Sequence, residues 1–159
     1  MYTANREIKP SKPNCHILDI ENLAGTGKLT PNLVSQVRAN YFSKVHPAPK
    51  DVFFIAAGTQ NRWAVMGGWP NSFYQFKPGK DGADILIAQF CSQLEHTNRF
   101  ARGYLATGDG ALSPYAQILA DRGLDIRVVA RASSCSWKLK KFELIDLDSE
   151  LQIEGASNE

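Results

Sequence analysis

The chain has 159 residues and a mass of 17.6 kDa, which suits one domain with a substantial core. Apolar residues make up 43% and charged residues 21%, a composition that excludes disordered and fibrous proteins. The longest apolar run, residues 52–57, is far shorter than the roughly 20 residues that cross a bilayer. The first residues lack the apolar core of a signal peptide, so a cytoplasmic location is predicted.

The formal net charge of +2 is unevenly distributed. Residues 1–142 carry all 18 Lys and Arg side chains and 10 acidic ones, a formal charge of +8, whereas residues 143–159 carry six acids and no base. A basic body favours a polyanionic partner, which the acidic end could shield. A tail that only aids solubility explains the same pattern.

The first half of the chain predicts alternating strands and helices after an N-terminal arm, residues 1–13, that has no periodicity. Apolar runs indicate strands and capping residue types indicate helices. In chain order they are a strand at 15–20, a helix from Thr30-Pro31 to Val45, a strand at 51–57, a short helix at 62–66 ended by Gly67-Gly68, and a strand at 72–76.

The second half continues the same alternation. In chain order it predicts a helix capped by Asp81, a strand at 100–107, a helix capped by Ser113 with Tyr115, Ile118 and Leu119 inward and Gly123 as its stop, a strand at 124–130, and a strand at 142–147. Strands that alternate with helices predict a three-layer α/β/α fold with a mainly parallel sheet of five or six strands. The domain is expected over residues 14–147, with an acidic tail at 148–159.

The three cysteines are widely separated and form no CxxC pair, and the three histidines share no ligand spacing with them. Neither a disulfide framework nor a zinc site is therefore predicted. We interpret His16 as a buried strand residue, and His46 and His96 as solvated residues.

Acidic side chains gather where the predicted strands end. Asp19, Glu21 and Asn22 follow the first strand, Asp109 follows the fourth, and Asp84 lies in the first turn of the helix between them. The carboxyl ends of parallel strands share one edge of a sheet, so these groups are expected to meet. Converging carboxylates repel one another unless a cation lies among them, and hard oxygen donors suit Mg²⁺ or Mn²⁺. Such an ion activates water for phosphodiester hydrolysis.

Each acid also has a structural explanation. Asp81 and Asp84 have the spacing of a helix-capping pair, and Asp109 lies between glycines as turn residues do. Asp19 is harder to explain in this way, because a carboxylate at the end of an apolar strand needs compensation when it is buried. Taken together, the acids favour a functional site.

At these residues the sequence resembles the NYN domain family, a branch of the PIN-like ribonucleases. In that family the first strand ends in an aspartate followed by a Glu-Asn-like pair, as in residues 17–23 (ILDIENL). A Lys-Gly-x-Asp-like segment that opens a helix is similar to residues 80–84 (KDGAD), with one residue inserted. A Ser-Gly-Asp-x-Asp-Phe-like signature is similar to residues 107–112 (TGDGAL). The resemblance extends over about residues 14–147.

The resemblance implies a PIN-like fold and a metal-dependent ribonuclease whose substrate is RNA, above all single-stranded RNA. It implies that Asp19, Asp84 and Asp109 hold Mg²⁺ or Mn²⁺, and that Asn22 acts beside them in catalysis by positioning a ligand or a phosphate. Thr107 matches the serine of the family signature.

One position departs from the family pattern, because Ala111 stands where the second acid of the signature is expected. This loss is expected to weaken a second ion or to shift its ligation to Glu21, Asp81 or Ser113. The site would then be slow, use one ion or be inactive. A catalytically weak or inactive module that binds RNA or protein is therefore the alternative function, and a DNA-directed or structure-specific nuclease is a third.

Basic residues near predicted loops are candidates for holding nucleic acid, because cations contact phosphates and aromatic rings stack on bases. The basic candidates are Arg62, Lys77, Lys80, Arg131 and Lys138. Trp63 and Trp137 lie beside two of them, although packing in the core explains tryptophans equally well. RNA is the predicted partner and a membrane is not; a homo-oligomer or a protein partner stays open.

Overall fold

The computed structural model describes residues 11–149, which form one sheet of six parallel strands with helices on both faces. The strands are β1 (Cys15–Asp19), β2 (Val52–Ala57), β3 (Phe73–Phe76), β4 (Arg102–Ala106), β5 (Asp125–Ala130) and β6 (Glu143–Asp146). Their spatial order is β3-β2-β1-β4-β5-β6. The strand order therefore reverses between β1 and β4, the position where open α/β sheets bind ligands.

The helices of the described residues cover the two faces unequally. They are α1 (Ile20–Ala24), α2 (Pro31–Val45), α3 (Arg62–Gly68), α4 (Gly82–Leu94) and α5 (Ser113–Asp121). Buried residues of α1, α2 and α3 form one core cluster against the sheet, and those of α4 and α5 form the other. The predicted three-layer α/β/α fold is confirmed.

The central strand β1 is apolar over most of its length because helices cover both of its faces. All five of its residues are buried. Ile17 packs in the core under α4 and α5, whereas Leu18 packs in the core under α1 to α3. Alternate residues therefore supply both cores, and the strand ends at Asp19, where the apolar run ends.

A buried histidine links the amino ends of β1 and β2. The ring of His16 has no exposed surface and stacks between Phe53 and Tyr104, with centroids 4.4 and 4.6 Å away. Burial lowers the pKa of His16, so its ring is neutral. The tautomer that satisfies both partners donates from Nε2 to Asp51 Oδ2 at 2.8 Å and accepts at Nδ1 from the hydroxyl of Tyr41 at 2.6 Å. The prediction of a buried His16 is confirmed.

The glycine pair that was expected to end the short helix forms its last two residues. Helix α3 continues through Gly67 to Gly68. A Cβ at Gly68 would lie 2.5 Å from the carbonyl oxygen of Pro31 and 2.6 Å from Cβ of Val34. The helix thus ends two residues later than predicted, and Gly68 also permits α3 to approach α2 closely.

Three details of the other helices also differ from prediction. The N-cap position of α5 is Leu112, and Ser113 lies one residue later without a capping bond. Ile118, which was predicted to face inward, is 41% exposed, and Ala116 is buried in the core instead. Asp81 stands at the N-cap position of α4, but its side chain makes no capping hydrogen bond.

No helix among residues 11–149 is long and apolar enough to span a bilayer. Most of the predicted arm, residues 1–10, and of the predicted tail, residues 150–159, lie outside the described residues. His46 and His96 are exposed, as predicted.

The Asp51→Ala variant is expected to lower the free energy of unfolding by about 2 to 4 kcal/mol. The carboxylate of Asp51 accepts bonds from the His16 ring and from the backbone N–H groups of Asn14 and Ala48, and all three donors would lose their acceptor. Urea unfolding measures the change. Asp121→Ala, which removes only an exposed bond from Gln117, is the control. Equal stability of the two variants would contradict this account.

Candidate active site

Asp19 is the last residue of β1 and the N-cap of α1. Its Oδ1 accepts a hydrogen bond from the backbone N–H of Asn22 at 3.2 Å, and the residue is only 6% exposed. Burial, with smaller contributions from the charges of Glu21 and Asp109, raises the pKa of Asp19 to about 6, although the Asn22 bond opposes the shift. The carboxylate is therefore ionised at neutral pH at a cost in stability.

Asp109 is held in a fixed turn after β4. Its backbone N–H donates to Oγ1 of the buried Thr107 at 3.1 Å, and its own Oδ1 accepts from the N–H of Ala111 at 2.9 Å. A Cβ at Gly108 would lie 2.7 Å from the carbonyl oxygen of Ser134, so the turn passes close beneath the loop that follows β5. The carboxyl group of Asp109 has little freedom to move.

Asp84, in the first turn of α4, points its carboxyl group at that of Asp109, within hydrogen-bonding reach. Burial, this contact, and the charges of Asp109, Asp19 and Asp81 together raise the pKa of Asp84 to about 7. Every charge that contributes to the shift belongs to another carboxylate. The structure therefore brings Asp19, Asp84 and Asp109 near one another, and the group carries excess negative charge.

The donor chemistry of this group fits a hard divalent cation. Mg²⁺ commonly keeps several waters and is bound through one or two carboxylates together with substrate phosphates. Asp84 and Asp109 supply two adjacent carboxyl groups of that kind. Within residues 11–149, no three or more His, Cys, Asp or Glu side chains are arranged to hold a metal ion as they stand. As they stand, Asp19, Asp84 and Asp109 therefore do not form a three-ligand metal site.

Asn22 joins the two sides of the site. Its Oδ1 accepts from the N–H of Gly108 at 2.8 Å, its N–H donates to Asp19, and its carbonyl oxygen accepts from Nη2 of Arg131 at 3.4 Å. The side-chain oxygen is thus used within the protein. Asn22 holds the end of β1 against the turn after β4, and its contact with a ligand stays a prediction.

The auxiliary residues divide into two groups. Glu21 accepts from the N–H of Gly58 at the end of β2, and the exposed Asp81 acts on Asp84 through its charge. Ser113, in contrast, is buried and donates to the carbonyl oxygen of Lys138 at 3.0 Å. This bond uses the hydroxyl hydrogen and leaves the lone pairs of the oxygen, so the role of Ser113 as an auxiliary ligand stays a prediction.

The predicted basic residues lie around the edge of the sheet that carries the acids. Lys77 follows β3, Arg62 follows β2 by a short turn, and Arg131 follows β5, so parallel strands deliver all three to one edge. Lys80 is exposed just before α4. Lys138 is exposed and lines a groove with Asn22 and Asp109. Arg131 is half-buried against Asn22, so it braces the site more than it faces solvent.

Sequence reasoning missed one contact that shapes the site. The N–H of Ser136 donates to the carbonyl oxygen of Gly108 at 2.9 Å, which ties the loop before β6 to the turn that carries Asp109. No residue type or spacing in the sequence signals this pairing. It depends on strands β4 and β5 being neighbours in the sheet.

Comparisons with known proteins show the fold and nothing more specific. No protein-family model matches the chain, and no curated protein matches it. The crystal structure of a protein of unknown function from Vibrio parahaemolyticus is similar, with a TM-score of 0.58 and 19% sequence identity. The match covers 86% of this chain and 95% of that one. The likeness supports the three-layer fold, and the resemblance to the NYN family stays a prediction.

The Asp84→Asn variant is expected to be more stable than the wild type at about pH 8, by roughly 1 kcal/mol after allowance for solvent screening. The pKa of Asp84 is raised from 3.8 in the unfolded chain to about 7 in the folded one, so the native state loses stability as the pH rises from about 4 to about 7 and stays destabilised above that. Below about pH 4 the carboxyl is protonated in both states and the gain should vanish.

Urea unfolding at the two pH values measures this gain, with Asp121→Asn as the neutral control. A variant that is destabilised equally at both pH values would show that Asp84 is a structural partner instead.

Proposed function

We propose that this protein is a divalent-metal-dependent ribonuclease that hydrolyses phosphodiester bonds of RNA, with single-stranded RNA as its main substrate. The observation that carries the proposal is the contact between the carboxyl groups of Asp84 and Asp109, with Asp19 close by, at the point where the strand order reverses. Such a contact is unfavourable without a proton or a cation. A divalent ion would remove the repulsion and create a phosphate-binding site.

The charge around the acids supports a polyanionic substrate. Residues 1–142 have a formal charge of +8, and the basic candidates lie at the edge of the sheet that also carries the acids. A negative centre within a positive surround attracts the backbone of a nucleic acid and leaves room for a cation at the point of reaction.

The residues of the chain have distinct parts in this reaction. Asp84 and Asp109 would hold the ion, and Asp19, ionised above about pH 6, is placed to accept a hydrogen bond from a water molecule. Bound Mg²⁺ or Mn²⁺ supplies a lowered water pKa and neutralises charge that develops on the phosphate. Lys138 would contact a neighbouring phosphate, and Asn22 keeps Asp19 and the Asp109 turn at a fixed separation.

The resemblance to the NYN family points to the same three aspartates and to RNA. The alternative function is a catalytically weak or inactive module that binds RNA or protein. Ala111 favours it, because this exposed residue lies beside Asp84 and Asp109 and contributes no carboxylate.

Purified protein with Mn²⁺ is expected to cut a short single-stranded RNA, and EDTA should stop the reaction. Asp84→Asn and Asp19→Asn should each lower the rate by at least about 100-fold, because each removes a charge from the reacting centre. Asp121→Asn, an exposed change at the far end of α5, should retain full activity. Gel analysis of end-labelled RNA measures the rates.

Two outcomes would contradict the proposal in different ways. Salt-sensitive RNA binding that survives EDTA and the Asp→Asn changes, without cleavage, would identify a binding module. Equal cleavage of single-stranded DNA of the same sequence would replace the RNA assignment by a DNA-directed nuclease.

The Ala111→Asp variant is expected to bind Mn²⁺ more tightly, with a half-saturating concentration for cleavage roughly tenfold lower. The new carboxylate would stand on the surface that Ala111 shares with Asp84 and with Asp109. Without a cation it should lower the melting temperature, because it adds a further negative charge. Ala111→Asn has the same size without the charge. If both variants change the Mn²⁺ dependence equally, charge is not the cause.

A further inference from the structure

The indole of Trp137 is 74% exposed on a short helical turn, Trp137–Leu139, between β5 and β6. A single exposed apolar side chain is common on protein surfaces, so exposure alone does not indicate a binding site. The surroundings of Trp137 are what set it apart.

The backbone on both sides of Trp137 is fixed to the turn that carries Asp109. Before it, the N–H of Ser136 donates to the carbonyl oxygen of Gly108 at 2.9 Å. After it, the carbonyl oxygen of Lys138 accepts from Ser113 at 3.0 Å, and Leu139 is buried. These contacts fix the backbone that carries the exposed indole relative to the turn of Asp109 and the start of α5.

A groove between Trp137 and the start of α5 combines apolar surface with positive charge. Its lining residues are Gly110, Ala111, Ser113, Pro114, Trp137, Lys138 and Lys141. The flat ring and the apolar floor suit the face of a nucleobase, and the two ammonium groups suit the phosphates on either side of it. The charge of the groove is complementary to a nucleic acid, and Ala111 also lines the surface beside Asp84.

We infer that Trp137 is a stacking platform for one unpaired base of RNA, next to the bond that is cut. This inference rests on the proposed function and deepens it, because bases that are stacked inside a duplex cannot lie on the indole. The protein then selects unpaired nucleotides without reading their sequence, since every base offers an aromatic face. Trp137 binds substrate and takes no part in moving protons.

Trp63 provides a matched control. It is 71% exposed, nearly as much as Trp137. It lies on α3, and its ring is next to the guanidinium of Arg62, 5.1 Å from the centroid. Trp63 therefore has a similar exposed area and a neighbouring cation, but it is not on the loop that is bonded to the Asp109 turn.

The test measures RNA binding in EDTA on the Asp84→Asn background, in which cleavage is silent. The probes are a short fluorescein-labelled oligouridylate and a blunt RNA duplex of the same length. Trp137→Ala should weaken oligouridylate binding by about tenfold, and Trp137→Phe should restore most of it. Duplex binding should be unchanged, and Trp63→Ala should alter oligouridylate binding by less than about twofold. Fluorescence anisotropy measures affinity, and circular dichroism confirms the fold.

Several outcomes would overturn the inference: no oligouridylate binding at all, no loss in Trp137→Ala, an equal loss on the duplex, or an equal loss in Trp63→Ala. An unchanged affinity is also the result expected if the groove serves a protein partner.

The failure of the proposed function is a separate observation. A wild type that never cuts RNA but shows Trp137-dependent binding loses only the nuclease assignment, whereas cleavage that ignores Trp137 removes only the stacking platform.

Discussion

The contact between two carboxyl groups, those of Asp84 and Asp109, is the constraint on which the site depends. Asp109 also accepts a hydrogen bond from the N–H of Ala111, and the charge of nearby Asp19 adds to the repulsion on Asp84. The turn that carries Asp109 is fixed to the end of β1 by the bond from the N–H of Gly108 to the side-chain oxygen of Asn22, whereas Asp84 is carried by α4. Carboxylates that are brought together against their own charge reduce the stability of the native state, and such strained groups are typical of functional sites.

At the opposite edge of the same sheet, buried polar groups are hydrogen-bonded to one another. There, the neutral ring of His16 shares its two nitrogens between Tyr41 and Asp51, and the carboxylate of Asp51 accepts three hydrogen bonds. Polar groups at this edge are satisfied internally and are closed to solvent or nearly so. The central strand β1 thus has a fully hydrogen-bonded polar cluster at its amino end. At its carboxyl end it has a group of carboxylates that repel one another.

The strands and the position of the acids could be predicted from the sequence, whereas the roles of Asn22, Ser113 and Gly68 could not. Apolar runs and capping residues are local signals, and parallel strands place their carboxyl ends at one edge whatever their order. The bonds from Asn22 to Gly108 and from Ser113 to Lys138 join distant positions and leave no periodicity. Gly68 has the residue type of a break, and only the neighbouring α2 shows that it is a packing contact.

The close approach at Gly108 has a consequence for how this architecture tolerates change. A side chain there would overlap the carbonyl oxygen of Ser134, so the Asp109 turn and the loop after β5 interlock and cannot shift independently. An insertion in either connection would therefore change the separation of two segments that the sheet brings together, although their residues are far apart in the chain.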